Sequence, residues 1–196
     1  MYQLLKEKIE EYIGVKVLGY IEEDKDLEIQ SRYLGLVQCT ENQNVEKKID
    51  KIAVSIEKTI DIDELINMMS EVNILTYAYP RKRDIKVAIA DDEAFSFYYN
   101  ENLNLLENIC NVEYFSPLKD KRVPNCDFLY IGGGYPELYK KEISQNKGMI
   151  KSIKKMAKSG GFIYGEGGGF MYLAHSIEEY PMCGVVKGKA TMMDKL

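Results

Sequence analysis

Residues 161 to 175, with the sequence GFIYGEGGGFMYLAH, decide how the second half of this chain folds. An apolar run at 162–164 meets a glycine-rich turn at 165–169, and helix-forming residues follow at 170–174. A strand, a sharp turn and a helix in this order present one side chain at a helix N-terminus, where free N–H groups favour a thiolate or an oxyanion. Gly167 occupies that apex. The pattern predicts a nucleophile turn without a nucleophile, and the alternative is an ordinary glycine turn between a strand and a helix.

The residues before this turn alternate between strand-like and helix-like segments. Strands are predicted at 86–90, 112–115, 127–131 and 161–164, and helices at 97–110, 136–144 and 147–159. Such alternation indicates an α/β fold with a parallel sheet covered on both faces. Ligands bind such sheets beyond the carboxyl ends of the strands. The glycine turns at 132–134 and 165–169 both follow predicted strands, so both are expected at that edge.

The first part of the chain has its own pattern of elements. It predicts a helix that ends near Gly14, helices over 49–60 and from Asp61 or Asp63 to about 72, and strands at 15–21 and 33–38. A proline and three basic residues then precede the next strand. We therefore expect one unit at 1–73, a linker at 74–84 and a second unit at 85–196.

Composition excludes several classes of protein. The chain has 196 residues, 45% of them apolar and 29% charged, which is ordinary for a soluble globular protein. A net charge of −5 argues against a nucleic-acid surface. No apolar run approaches the roughly 18 residues of a membrane span, and no signal peptide is apparent, so a cytoplasmic location is expected. The four cysteines form no CxxC pair, and no metal site is predicted.

Three sequence blocks resemble a known enzyme family nearly throughout residues 86 to 173. They are KVAIADDEAFSFYYNENLNLLE (86–107), CDFLYIGGGYPELY (126–139) and YGEGGGFMYLAH (164–175). They resemble the glutamine amidotransferase domain of the cobyrinic acid a,c-diamide synthase family, of which the Ni-sirohydrochlorin a,c-diamide synthases are close relatives. The family has a cysteine at the position of Gly167.

The upstream residues resemble the end of the ATP-dependent ligase domain of the same family. The family usually has Arg-His-Leu-Gly-Leu where this chain has RYLGL at 32–36. No GxxxxGK(S/T) loop occurs in the sequence, so the phosphate cradle of a P-loop domain is absent. The half of the amidotransferase domain that supplies the family's catalytic histidine is also absent. The resemblance implies an internal part of a longer enzyme, with the tail of a P-loop ligase-type domain followed by part of a flavodoxin-like class I glutamine amidotransferase domain.

The resemblance also implies roles for particular residues. Glutamine hydrolysis in this family needs a cysteine thiolate, a histidine base, an acid that orients the histidine, and backbone N–H donors for the oxyanion. The matching oxyanion and substrate-binding positions are Gly132, Gly133, Gly134 and Gly168. The alternative for 132–134 is a tight turn before a helix. Glu166 matches the residue before the nucleophile, and its alternative role is to satisfy free N–H groups of the turn.

For the other polar residues the sequence predicts structural roles. His175, the only histidine, is expected on the helix after the turn, ~12 Å beyond the apex and out of proton-transfer reach. The acidic residues 91–93 are expected to cap the next helix, with a share in the cleft. Tyr98 and Tyr99 are expected to be packing residues.

The resemblance implies a parent enzyme that hydrolyses glutamine and passes ammonia to a second site. There ATP and Mg²⁺ activate the a- and c-side-chain carboxylates of a corrinoid or related tetrapyrrole. With glycine at 167 and no family histidine, we expect this chain to be inactive. The alternatives are a non-catalytic amidotransferase-like scaffold or regulatory protein in tetrapyrrole metabolism, and a ligase that uses free ammonia. An uncovered sheet edge would favour homo-oligomers.

Overall fold

A computed structural model describes residues 1–28, 31–32, 35–36, 44–70 and 78–193 of the chain. The chain divides into two compact units, residues 1–76 and 77–196. Among the helices of the described residues, none combines the length and the hydrophobicity that a membrane span requires.

The first unit consists of helices and very short strands. Its elements are α1 (Tyr2–Ile13), a 3₁₀ turn (Lys25–Leu27), β1 (Ser31–Arg32), β2 (Gly35–Leu36), α2 (Val45–Thr59) and α3 (Ile62–Met68). Strands β1 and β2 pair antiparallel. The Asp61 carboxylate accepts a hydrogen bond from the Glu64 N–H at 3.0 Å, so Asp61 is the residue that caps α3. None of the three helices contains a buried residue.

Two predictions for this unit differ from the structure. The strand predicted at 15–21 is wrong, because only Gly19 forms a bridge, and its partner is Ile60 at the end of α2 rather than another strand. Of the strand predicted at 33–38, only Gly35 and Leu36 lie in β2, and 33, 34, 37 and 38 lie outside the described residues. Helix α3 ends at Met68, and residues 71–77, where the linker was predicted to begin, also lie outside the described residues.

The second unit is built on a four-stranded parallel sheet. Its strands are β3 (Lys86–Ala90), β4 (Asn111–Phe115), β5 (Phe128–Ile131) and β6 (Phe162–Gly165), in the order β4-β3-β5-β6. Ala88 lies beside Glu113 on one side and Leu129 on the other, and Leu129 lies beside Ile163. The predicted α/β class with a parallel sheet is confirmed.

Helices cover both faces of this sheet. They are α4 (Asn100–Ile109), a 3₁₀ turn (Pro136–Tyr139), α5 (Lys140–Gln145), α6 (Lys147–Lys158) and α7 (Gly168–Leu173). Val87, Ile89 and Tyr130 pack towards Leu103 and Leu106 of α4. The other face has a larger core, which includes Leu129, Ile131, Phe95, Ile153 and Tyr172. Burial on both faces of the sheet explains why β3 is apolar from Val87 to Ala90.

Two element boundaries differ from the sequence prediction. Helix α4 begins at Asn100 rather than at 97, because Phe97 pairs with Gly133 and its N–H donates to the Gly133 carbonyl at 3.1 Å. The segment predicted as a helix from Pro136 opens as a 3₁₀ turn. A further small sheet of β7 (Ser176–Ile177), β8 (Tyr180–Pro181) and β9 (Lys189–Ala190) follows α7 and was not predicted.

Candidate functional site

The two glycine turns of the second unit adjoin one another. Strands β5 and β6 are parallel neighbours, so their carboxyl ends meet at the same edge of the sheet. The Glu166 N–H donates to the Ile131 carbonyl at 3.1 Å, and the Gly169 N–H donates to the Gly132 carbonyl at 2.9 Å. The turn after β6 is therefore held against the turn after β5 by backbone hydrogen bonds.

Gly167 lies at the apex of the second turn, directly before α7. Its φ of 50° and ψ of −117° are unfavourable for any residue with a side chain. The space around it is open, because the nearest atom to a Cβ placed there is the Gly133 Cα at 3.5 Å. A cysteine side chain would therefore fit at this position and would point to the neighbouring turn.

Gly169 is required for a different reason. A Cβ at this position would lie 2.1 Å from the Ile131 carbonyl oxygen and 2.7 Å from that of Gly132, both of them backbone atoms. Helix α7 can approach the end of β5 this closely only with glycine here. This contact sets the position of the apex relative to the first turn.

The backbone N–H groups of the first turn are not all free. The Gly132 N–H donates to the Tyr98 hydroxyl at 2.9 Å, and that hydroxyl donates to the Ala90 carbonyl. Gly133 is paired with Phe97 in an antiparallel bridge, whereas the Gly168 N–H has no backbone partner within the described residues. The oxyanion role predicted for the glycines therefore stays a prediction for Gly133, Gly134 and Gly168, while the Gly132 N–H is engaged elsewhere.

Tyr98 connects two strand ends, which the sequence did not indicate. It was predicted to be a packing residue, and its ring does pack edge-on against Tyr130 with centroids 5.1 Å apart. Its hydroxyl also joins Ala90 at the end of β3 to Gly132 after β5. Burial raises the pKa of this hydroxyl, so it stays protonated. No sequence signal distinguishes such a tyrosine from its neighbour Tyr99.

The Glu166 carboxylate accepts two tyrosine hydroxyls. Tyr130 donates to one carboxylate oxygen at 2.8 Å and Tyr164 donates to the other at 2.9 Å. The two rings are in edge contact, with centroids 5.2 Å apart. The alternative role predicted for Glu166, binding free N–H groups of its own turn, is wrong, because the side chain is turned to the tyrosines of β5 and β6 instead.

A cavity of about 600 Å³ opens beside the apex. Its lining residues are Ser96, Phe97, Tyr98, Tyr99, Gly133, Glu166 and Gly167. Glu166 is the only charged residue of this set. A second cavity, of about 1030 Å³, lies between β4, the segment 120–126 and α6, and shares no residue with the first. The smaller cavity is the candidate site, because it alone adjoins the turns at the strand ends.

The acidic residues after β3 have structural roles that differ from those predicted. The Asp92 carboxylate accepts hydrogen bonds from the N–H groups of Ala94 and Leu118 at 2.9 Å and from the Ser116 hydroxyl at 2.8 Å. Asp92 therefore joins the segments after β3 and β4. The expected capping of the next helix is wrong, because α4 begins eight residues later. Glu93 pairs with Lys119 at 2.8 Å.

His175 and the cysteines are not part of the turns. The prediction that His175 lies on the helix is wrong, because α7 ends at Leu173 and the His175 N–H donates to the Gly188 carbonyl at 2.9 Å. Burial raises the pKa of the Cys183 thiol to about 12, and Cys110 is also buried. Cys39 lies outside the described residues. Among those residues, no group of His, Cys, Asp and Glu side chains could hold a metal ion.

Comparison with known proteins gives a family and several relatives. Residues 86–196 match the family model of the CobB/CobQ-like glutamine amidotransferase domain. The chain is similar to cobyrinate a,c-diamide synthases from Clostridium acetobutylicum, with 44% identity over 199 residues, and from Methanocaldococcus jannaschii, with 42% identity over 195 residues. These matches cover 100% and 96% of this chain but only 46% and 43% of the relatives. The chain thus spans less than half the length of these relatives. No solved structure matches it.

Proposed function

We propose that this chain, which belongs to the CobB/CobQ-like glutamine amidotransferase family, binds glutamine at the turn around Gly167 without hydrolysing it. The family predicted from three sequence blocks is confirmed by the match over residues 86–196 and by relatives that align with the whole chain. The parallel sheet agrees with the flavodoxin-like fold of class I amidotransferases.

The conformation of Gly167 is the observation that carries this proposal. An amidotransferase of this type needs a thiolate that attacks the carboxamide carbon, so that ammonia leaves and water then cleaves the thioester. The apex geometry, with a free approach to Gly133, is that of a nucleophile position, and the residue there has no side chain. Without a thiol no covalent intermediate forms. The only histidine of the chain lies beyond α7.

The complete amidation reaction is assigned to the longer proteins to which this chain is similar. Their names support an a,c-diamide synthase that transfers ammonia from glutamine to carboxylates of cobyrinate or a related tetrapyrrole. In such an enzyme ATP and Mg²⁺ activate the carboxylates. The residues of this chain do not fit that cofactor pair, because the sequence has no GxxxxGK(S/T) loop and the described residues have no candidate metal site. We therefore assign no ATP-dependent step to this chain.

A second candidate is a non-catalytic scaffold or regulatory protein of tetrapyrrole metabolism, which Gly167 favours equally.

Self-association is a related proposal. Strand β6 is an edge of the described sheet, and the Phe162 side chain on it is 74% exposed. Light scattering on a size-exclusion column tests this. A monomer at high concentration contradicts it.

The primary test combines binding and turnover. Isothermal titration of the chain with L-glutamine should give a saturable signal, and an ammonia-release assay on the same sample should give none. Multiple-turnover ammonia release would show that the chain is an active glutaminase. Absence of binding would favour the scaffold without a glutamine site.

A further inference from the structure

We infer that Glu166 and the aromatic residues beside it bind the α-ammonium group of an amino-acid ligand in the cavity at Gly167. This inference rests on the proposed function, because it names the part of glutamine that these residues recognise. It concerns the selectivity of binding rather than the chemistry of hydrolysis.

The Glu166 carboxylate is fixed before any ligand arrives. One tyrosine hydroxyl donates to each of its oxygens, from Tyr130 at 2.8 Å and from Tyr164 at 2.9 Å. The edge contact between the two rings holds both hydroxyls in place. A carboxylate oxygen has more than one acceptor direction, so each can still accept an N–H from a ligand. Because the group is already oriented, less conformational entropy is lost when a ligand binds.

The charge on this carboxylate is not neutralised by the protein. No lysine, arginine or histidine among the described residues forms an ion pair with Glu166, and it is the only charged residue that lines the cavity. A partly buried carboxylate without a cation favours a ligand that brings one. The aromatic residues Phe97, Tyr98 and Tyr99 line the same cavity, and aromatic rings attract an ammonium group.

The turn after β5 also lines this cavity, through Gly133. Gly133 is paired with Phe97 in an antiparallel bridge, so the recognition inferred here rests on the carboxylate and the aromatic rings. The volume of about 600 Å³ lies within the range of small-molecule sites.

The experiment compares two ligands that differ only in the ammonium group. Isothermal titration is carried out with L-glutamine and with glutaramic acid, which is glutamine without its α-amino group. L-glutamine should bind roughly tenfold more tightly, as expected for one hydrogen bond to a charged group. The Glu166→Gln variant should lose this preference by binding L-glutamine roughly tenfold more weakly while its affinity for glutaramic acid is unchanged.

Two further variants serve as controls. Glu179→Gln removes one negative charge from an exposed residue outside the cavity and should leave the affinities for both ligands unchanged. Tyr164→Phe keeps the Glu166 charge but frees one carboxylate oxygen, so it should weaken L-glutamine binding less than Glu166→Gln does. It also keeps the inference testable if Glu166→Gln does not fold, which thermal unfolding of each variant will show.

The outcomes separate this inference from the proposed function. Equal affinities for the two ligands, or an equal loss for both ligands in Glu166→Gln, would overturn the role of Glu166 and leave the glutamine site intact. Absence of binding by either ligand would overturn both. Raising the pH until the ligand ammonium loses its proton should abolish the preference in the unsubstituted chain, and persistence of the preference would also contradict the inference.

Discussion

The two glycine turns of the second unit occupy the same edge of the sheet but are held in place by different means. The turn after β5 depends on a side chain in addition to its backbone pairing with Phe97, because the Tyr98 hydroxyl accepts the Gly132 N–H. The turn after β6 depends on backbone contact, because Gly169 lies against the carbonyl groups of Ile131 and Gly132. The chain has two runs of three glycines, 132–134 and 167–169. They are required for different structural reasons, and the sequence gives no sign of the difference.

The difference matters for function because each turn supplies one part of the candidate site. The first turn lines the cavity through Gly133, and the second offers the apex at Gly167. A substitution that displaces α7 should move the apex away from Gly133, whereas loss of the Tyr98 hydroxyl should alter the orientation of the first turn only.

Replacing Gly169 with alanine should have the largest effect. The added methyl group would overlap two backbone carbonyl groups, which cannot move aside as a flexible side chain can. We expect the free energy of unfolding to fall by about 3 kcal/mol. Urea unfolding followed by circular dichroism measures this. Gly160→Ala is the matched control, because Gly160 has a φ of 78° and nothing within 4 Å of an added Cβ. Equal losses in the two variants would show that the close approach of α7 is not restrictive.

Replacing Gly167 with cysteine should have an intermediate effect on stability and restore a reactive thiol. The Cβ fits, so only the positive φ opposes it, at a cost of about 1–2 kcal/mol. Iodoacetamide should alkylate residue 167 near pH 7, because the N-terminus of α7 favours the thiolate. Burial raises the Cys183 pKa to about 12, so that thiol should react only as the pH rises towards this value.

The same variant should not release ammonia from glutamine, because the single histidine of the chain follows α7 and is not among the residues that line the cavity. Gly167→Ala is the control, because it should lose the same unfolding free energy to the positive φ but carries no thiol. Alkylation at residue 167 no faster than at Cys183 would contradict the exposed apex. Multiple-turnover ammonia release would show that another residue acts as the base.

Replacing Tyr98 with phenylalanine should lower the free energy of unfolding less than Gly169→Ala does. The ring contact with Tyr130 remains, but the Gly132 N–H loses its acceptor. Loss of this hydrogen bond should lower the free energy of unfolding by about 1–2 kcal/mol. Tyr99→Phe is the control, since that side chain is exposed. Hydrogen exchange at the Gly132 amide should accelerate in Tyr98→Phe alone, and unchanged exchange would contradict the link between β3 and the first turn.

Replacing Tyr164 with phenylalanine should have the smallest effect on stability. Its side chain is about half exposed, and the Tyr130 hydroxyl still holds one oxygen of Glu166. We expect the midpoint of urea unfolding to be indistinguishable from that of the unsubstituted chain. A clear loss of stability would show that the tyrosine pair supports the whole turn rather than the carboxylate alone.

The family, the α/β class and the position of the apex could be predicted from the sequence because they depend on local patterns. Apolar runs at strand spacing, amphipathic helices and the glycine motif at 165–169 are each contained in a few neighbouring residues. The strand expected at 15–21 was wrong for the same reason, since an apolar run forms a strand only where a second strand is available to pair with it.

The absence of a thiol at position 167 and the presence of a single histidine can be read from the amino-acid sequence, because these facts depend only on residue identity. Which groups meet across the sheet edge depends instead on the folded arrangement of the strands and helices. The hydrogen bonds of Tyr98 to Gly132 and of Tyr130 to Glu166 join residues 34 and 36 positions apart. Such contacts follow from the register of parallel strands and the packing of α7 on β5, and no local pattern encodes them.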